Sequence, residues 1–160
     1  MLTYEQLPDN ARLWIYPSST ELNDEQCVTI AKSLEAFAEQ WTSHSRSLSA
    51  YAGVWSNRFL VFGLNEDVSS ASGCSIDGQV RFVKQLGEQF QADFFDRMHF
   101  FATQDQVTFK GYSAPEFGEA YASGELTGDT MVVDPLVTSK AAARSGFLKP
   151  LKDSWHSRFV

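Results

Sequence analysis

The chain has 160 residues, 43% of them hydrophobic and 21% charged. That is the length and composition of one folded domain, or of one domain with a small appended module, and not of a disordered chain. Thirteen basic against twenty acidic side chains give a formal charge of -7, which disfavours general binding to nucleic acid or anionic membrane surfaces. Two cysteines, Cys27 and Cys74, make no disulfide framework. No apolar run approaches the ~20 residues of a membrane helix. The start of the chain carries Glu5 and Asp9 with neither a basic nor an apolar stretch, so no secretory signal is visible and a cytoplasmic location is expected.

Arg12 to Tyr16 is a short aromatic and β-branched run stopped by Pro17, the pattern of a buried first strand. Asn23 then supplies a helix N-cap, with Gln26 at the capping-box position. Cys27, Ile30, Ala31, Leu34, Phe37, Ala38 and Trp41 recur at spacings of three and four, the stripe of an amphipathic helix on a sheet. The polar run from Ser43 to Ser47 reads as a loop. Leu48 to Trp55 and Phe59 to Phe62 read as two strands, with Ser56-Asn57-Arg58 closing a hairpin. A second helix is expected to begin near Asp77, with Val80, Val83, Leu86 and Phe90 on one side, and Met98 to Phe101 reads as a further strand.

The order strand, helix, strand, strand, helix, strand is that of the ferredoxin-like split βαβ arrangement, an antiparallel sheet with two helices on one face. The expected fold class is therefore α+β. A ferredoxin-like body spans residues 1–97, and a small β-β-α-β extension with a basic tail spans 98–160, the two forming either separate parts or one compact unit. In the extension, Val107 to Lys110 pairs with the preceding strand. A short helix opens at Ser113 or Ala114 with Pro115 in its first turn and stops at Gly124, and Thr130 to Val133 is a last strand. Lys140 to Val160 reads mostly as loop with aromatic anchors. Its five basic residues against Asp153 alone give +4, so the first 139 residues carry -11. Such a tail either folds back on the acidic body or marks a site for an anion or a polar partner.

Chemistry concentrates around Cys74. The turn Ser72-Gly73-Cys74-Ser75-Ile76-Asp77 lies between an apolar strand and a helix start, where free N–H groups and the helix dipole favour an anion or a thiolate. Gly73 and Gly78 have the glycine spacing of a P-loop. However, Gln79 and Val80 stand where Lys and Ser/Thr are needed, so nothing neutralises a nucleotide's phosphates or holds magnesium. A cysteine-phosphatase loop fits no better, because six residues separate Cys74 from Arg81. Nucleophilic catalysis by Cys74 needs a base, and His44 and His156 lie in polar segments free to converge on it, whereas His99 sits in a strand pattern. No Cys-x-x-Cys, His-x-x-x-His or His-Glu-x-x-His spacing is present, so neither a metal nor a cofactor is expected.

Several segments carry a resemblance: Trp41-Thr42-Ser43-His44, Asn57-Arg58-Phe59, Ser72 to Asp77 with Val80-Arg81-Phe82, Phe95-Asp96-Arg97, Asp129-Thr130 and Pro150 to His156. Together they resemble a family of short uncharacterised bacterial proteins that often carry the label "ABC transporter ATPase". The label implies ATP hydrolysis, but the P-loop Lys-Ser/Thr and the Leu-Ser-Gly-Gly-Gln signature are both missing, so the chain is not read as an ATPase. The strand–strand–helix–strand order near 99–132, with Gly111-Tyr112-Ser113, is similar to GYF-like modules, which implies binding of peptides or other domains.

The leading expectation is a non-enzymatic binding module for a small anion or a protein partner. Its ligand-binding residues are Ser72, Gly73, Ser75, Asp77 and Arg81 at the turn, and Trp155 and Arg158 with His156 in the tail. The competing expectation is an enzyme with Cys74 as nucleophile, His44 or His156 as base, and Arg81 or Arg158 holding an anionic group. A third is a homodimer subunit, suggested by the open sheet edges of ferredoxin-like folds.

Overall fold

The structure is a computed structural model that describes residues 1–160. Strand β1 (Arg12–Pro17) leads to helix α1 (Asp24–Gln40), whose start is fixed as the residue types require. Asn23 accepts a hydrogen bond from the Gln26 N–H at 2.8 Å, and the Gln26 side chain accepts one from the Asn23 N–H at 2.9 Å. Thr42 to Ser47 is not a loop. Strands β2 (Thr42–Ser43) and β3 (Arg46–Ser47) form a miniature hairpin. His44 and Ser45 turn it at φ 49° and 64°, the left-handed pair that matches the twist of hairpin strands. Strands β4 (Ala50–Trp55) and β5 (Phe59–Leu64) form the expected second hairpin.

Helix α2 runs from Gly73 to Phe90, not from near Asp77. Ser72 is its N-cap: the Ser72 Oγ accepts from the Ser75 N–H at 3.1 Å, and the Ser75 Oγ accepts from the Ser72 N–H at 3.2 Å. The pair Ser72 and Ser75 thus does the work expected of Asp77, and Cys74 lies inside the first turn of the helix. After α2 come β6 (His99–Thr103), β7 (Lys110–Ser113), α3 (Ala114–Ala122) and β8 (Met131–Val133). The tail is more ordered than expected. It holds α4 (Lys140–Gly146), β9 (Leu148–Pro150) and two 3-10 turns, Leu151–Asp153 and Trp155–Phe159. Ser139 caps α4, and β9 takes the free edge of β8.

The architecture is α+β, with antiparallel sheets in the orders β1-β5-β4 and β7-β6-β8-β9. A ferredoxin-like body would need β6 beside β1, but β6 pairs with β7 and β8 instead. The reason is legible in its side chains. Phe100 and Phe101 are both buried, on opposite faces of β6. Such a strand needs cover on both sides, and one side of a two-layer sheet would face water.

The second sheet packs on the first and supplies that cover. Helices α1 and α2 cover one face of the first sheet, where Ile30, Leu34 and Val83 meet Leu60, Phe62 and Leu64. Its other face meets the second sheet through Leu13, Ile15, Phe59 and Val61 against Phe101 and Val133. The outer face of the second sheet carries Phe100, Tyr112 and Val132, covered by Phe117 and Ala120 of α3 and by Trp155 and Phe159 of the tail. The order is helix, sheet, sheet, helix, and all six residues of β5 are buried near its centre. Basic groups of the tail fold back on the acidic chain: Arg144 pairs with Asp9 at 2.7 Å, Lys149 with Asp134 at 3.1 Å and Lys152 with Asp129 at 2.6 Å. Arg158 has no carboxylate partner.

Candidate functional site

The turn at Cys74 is held by its own neighbours. The Ser75 Oγ donates to the Thr42 carbonyl at 2.8 Å, and the Trp41 indole N–H donates to the Ser75 carbonyl at 2.9 Å. These bonds fasten the β2–β3 hairpin to the first turn of α2, so the hydroxyls of Ser72 and Ser75 serve the cap and this junction. Gly73, Cys74, Asp77 and Arg81 are exposed, and a Cβ on Gly73 would meet nothing within 4 Å. His44 is exposed on the hairpin turn. The Cys74 thiol and the His44 ring share no hydrogen bond. His156 belongs to a different part of the molecule, between the second sheet and the tail, against Phe100, Phe117 and Trp155. Cys74, His44 and Arg81 are absent from the lining of the cleft that His156, Trp155 and Arg158 share.

That cleft has a volume of about 640 Å³ and runs along the free edge of β1. Its walls are the segment after α2 (residues 94–97), Val133 at the end of β8 with residues 135–138 after it, and the tail residues Trp155, His156 and Arg158, and most of its lining is apolar. The geometry therefore gathers three of the tail residues singled out in the sequence, but with partners that sequence reasoning missed: Tyr16, Arg97 and His99. Phe95-Asp96-Arg97 carried a resemblance and no role, because nothing in one dimension brings it beside residues 155–158.

Each polar group of the cleft is held in a definite state. The Tyr16 hydroxyl donates to Gln79 Oε1 at 2.6 Å. Burial pushes its pKa up to about 12 against the opposing charge of Arg97 nearby, so it stays a neutral phenol. His156 is 1% exposed and stacks on Trp155 with ring centroids 3.8 Å apart. Its Nδ1 lies 2.6 Å from Ser154 Oγ. The Ser154 hydroxyl has no other acceptor, so it donates to Nδ1, and the ring proton is assigned to Nε2, which has no partner in the protein. Burial pulls the pKa of His156 down to about 4, Asp134 opposing, and the ring is neutral at pH 7. His99 packs edge-on to Phe101 and is likewise lowered by burial. With both imidazoles neutral, the charges lining the cleft are Arg97, Arg158 and Asp96, and neither arginine forms a salt bridge. The cleft is locally positive in an acidic protein.

Asp134, 8% exposed, braces this wall. Burial would raise its pKa. The bonds it accepts from the Trp155 indole (3.2 Å), the Leu136 N–H (3.0 Å) and the Lys149 ammonium (3.1 Å) outweigh that and hold it below the usual carboxylate range. One carboxylate thus fixes Trp155 on one wall and the Pro135–Thr138 segment on the other.

Known families, characterised proteins and solved structures offer no match to this chain.

The state of His156 gives a stability prediction. Unfolded, a histidine binds its proton near pH 6.5; here it binds near 4. Between those values the unfolded chain holds the extra proton, so stability falls as pH drops, by up to ~1.4 kcal/mol per pH unit for one proton. Urea unfolding at pH 7, 6, 5 and 4 is expected to show this slope, and His156→Gln is expected to flatten it. The lowered carboxylates lose their contribution only as pH falls through the ordinary carboxylate range, so the slope between pH 7 and 5 reads the histidines. An unchanged slope in the variant would assign it elsewhere, His99 first.

Proposed function

We propose that the protein is a non-enzymatic binding module that holds an anionic ligand with an apolar body in the cleft along β1. The observation that carries this reading is the pair Arg97 and Arg158, both without carboxylate partners, on a largely apolar cleft. Both arginines are exposed at the rim of the cleft, where a guanidinium binds a carboxylate, sulfonate or phosphate by charge-assisted hydrogen bonds while the apolar lining takes the ligand's body. The Ile15 N–H, on the edge of β1 away from β5, adds a backbone donor of fixed direction. Tyr16 and His156 are both held in their neutral states, which suits recognition better than proton transfer near pH 7. Cys74 lies outside the cleft, exposed and without a hydrogen-bonded base, which favours this reading over thiol catalysis.

The test uses 1-anilinonaphthalene-8-sulfonate, an aromatic anion that fluoresces when bound in an apolar site. Wild-type protein is expected to bind it. The pair Arg97→Gln with Arg158→Gln is expected to weaken binding ~10- to 100-fold, at about tenfold per charge-assisted bond. A control pair at exposed sites elsewhere, Lys32→Gln with Arg46→Gln, is expected to leave it unchanged. Equal losses in both pairs, or no binding by the wild type, would refute the reading.

A further inference from the structure

The chemistry of the anion's body can be read from the edge of β1, given the cleft proposed above. In the β1–β5 register, Arg12 faces Leu64, Trp14 faces Phe62 and Tyr16 faces Leu60, and the ladder continues with the Ser18 N–H donating to the Arg58 carbonyl at 2.6 Å. Residues of even number therefore bond to β5, and the peptide groups of Leu13, Ile15 and Pro17 point away from it, on the side where these residues line the cleft. Backbone bonds close this edge at both ends. The Leu13 N–H donates to the Thr138 carbonyl at 2.9 Å, and the Ser19 N–H donates to the Asp93 carbonyl at 3.1 Å. Between the closures lies one free donor, the Ile15 N–H, because Pro17 has no N–H to offer. The carbonyls of Leu13 and Ile15 flank it and accept no backbone hydrogen bond on this side.

The edge thus presents acceptor, donor, acceptor in one plane, that of the sheet. Apolar groups stand on both sides of that plane. On the helix side, Phe95 sits edge-on to Tyr16 with centroids 5.6 Å apart. On the sheet–sheet side, Ile15 packs with Phe101 and Val133, and all of these residues line the cleft. A flat ring bonded to the edge therefore has apolar cover over both faces. The closed ends exclude a chain running along β1, and a volume of about 640 Å³ is that of a site for one small molecule.

We infer that the ligand is a nitrogen heteroaromatic ring bearing an amino group beside a ring nitrogen and carrying one acidic group, phosphate or carboxylate. The ring nitrogen accepts from the Ile15 N–H, and the amino group donates to a flanking carbonyl. The acid lies outward at the rim on Arg97 and Arg158. Three features select this class. A ring nitrogen beside an amino group supplies acceptor and donor in one plane, the complement of the edge. Aromatic and aliphatic side chains on both sides suit a flat π-system. The two unpaired arginines match a single acidic group, whereas a net charge of -7 opposes a polymer of phosphates.

The probes are adenosine 5′-monophosphate and pterin-6-carboxylate, titrated calorimetrically into full-length protein. At least one is expected to bind; the phosphate form alone or the carboxylate form alone would assign the acid. Removing the amino donor is expected to weaken binding ~10-fold, the value of one hydrogen bond in an apolar site. Purine riboside 5′-monophosphate makes that change in the nucleotide without added bulk, and the N2,N2-dimethyl derivative makes it in the pterin. Arg97→Gln with Arg158→Gln is expected to lower the affinity for adenosine 5′-monophosphate to that for adenosine and to leave adenosine unchanged. Equal binding with and without the amino donor, or no binding by either probe, would overturn the inference. If the heterocycles fail while 1-anilinonaphthalene-8-sulfonate still binds through the arginines, ring recognition by β1 falls and the anion cleft stands. If the dye does not depend on the arginines, both fall.

Discussion

Phe59→Ala is expected to destabilise the protein by ~3–5 kcal/mol, the cost of a cavity left by a fully buried aromatic ring. Phe59 is wholly buried and sits edge-on to Phe101 at 5.2 Å, Phe109 at 5.5 Å and Phe147 at 5.5 Å. Those three rings come from the second sheet and the segments around it, whereas Phe59 belongs to the first sheet. The truncation therefore opens the layer that joins the first 97 residues to the rest. Chemical denaturation followed by both tryptophan fluorescence and far-UV circular dichroism is the measurement. With one shared layer, the two signals should move together in wild type and variant, with the midpoint lowered in both. A shift of less than about 1 kcal/mol, or a transition split by probe only in the wild type, would mean that the two sheets do not depend on each other through this ring.

Asp134→Ala is expected to cost ~2–4 kcal/mol, because it leaves the half-buried Lys149 ammonium and the Trp155 indole N–H without their acceptor. Asp134→Asn keeps an acceptor for Trp155 and Leu136 but turns an amide NH2 toward Lys149, which loses its acceptor and its counter-charge, so a cost somewhat below that of alanine is expected. The sign of the pH dependence follows from the lowered pKa of Asp134. Its contribution is present above the ordinary carboxylate range and is lost as pH falls through that range toward the folded value. The Asp134 window therefore lies below that of His156, and the two variants should remove different parts of the acid limb of the stability curve. Because Asp134 braces both walls of the cleft, the alanine variant should also weaken binding of 1-anilinonaphthalene-8-sulfonate under conditions where it remains folded. Full dye affinity in the folded alanine variant would show that the walls hold without it.

Local signals in the sequence were reliable where the physics is local. Asn23 and Gln26 close a capping box within four residues, and the stripe from Ile30 to Ala38 is buried as its spacing requires. Ser113 caps α3 through the same kind of reciprocal bond with Glu116. The start of α2 was harder, because Asp77 and Ser72 both have side chains that cap helices. Ser72 prevails with Ser75 opposite it, and Ser75 then bonds to Thr42, a partner 33 residues away. The hairpin at His44 was hidden by its polar composition, since between Thr42 and Ser47 only Ser43 is buried.

The cleft was half visible. Trp155, His156 and Arg158 stood out by charge and aromatic content, and they do line one wall. The remaining walls come from residues near 16, 97 and 136, which are distant in sequence and meet only because β6 leaves the first sheet for the second.

The sequence by itself determined three of the four α-helices, the two long hairpins, the α+β class and the split of charge between an acidic chain and a basic tail. Each of these rests on propensity, periodicity and caps acting over a few residues. Only the tertiary structure decided which edges pair. The strand expected beside β1 is apolar on both faces, so it is buried between two layers, and β1 keeps a free edge. That single choice of partner, made by burial and not by local preference, creates the cleft in which Ile15 and the two unpaired arginines meet.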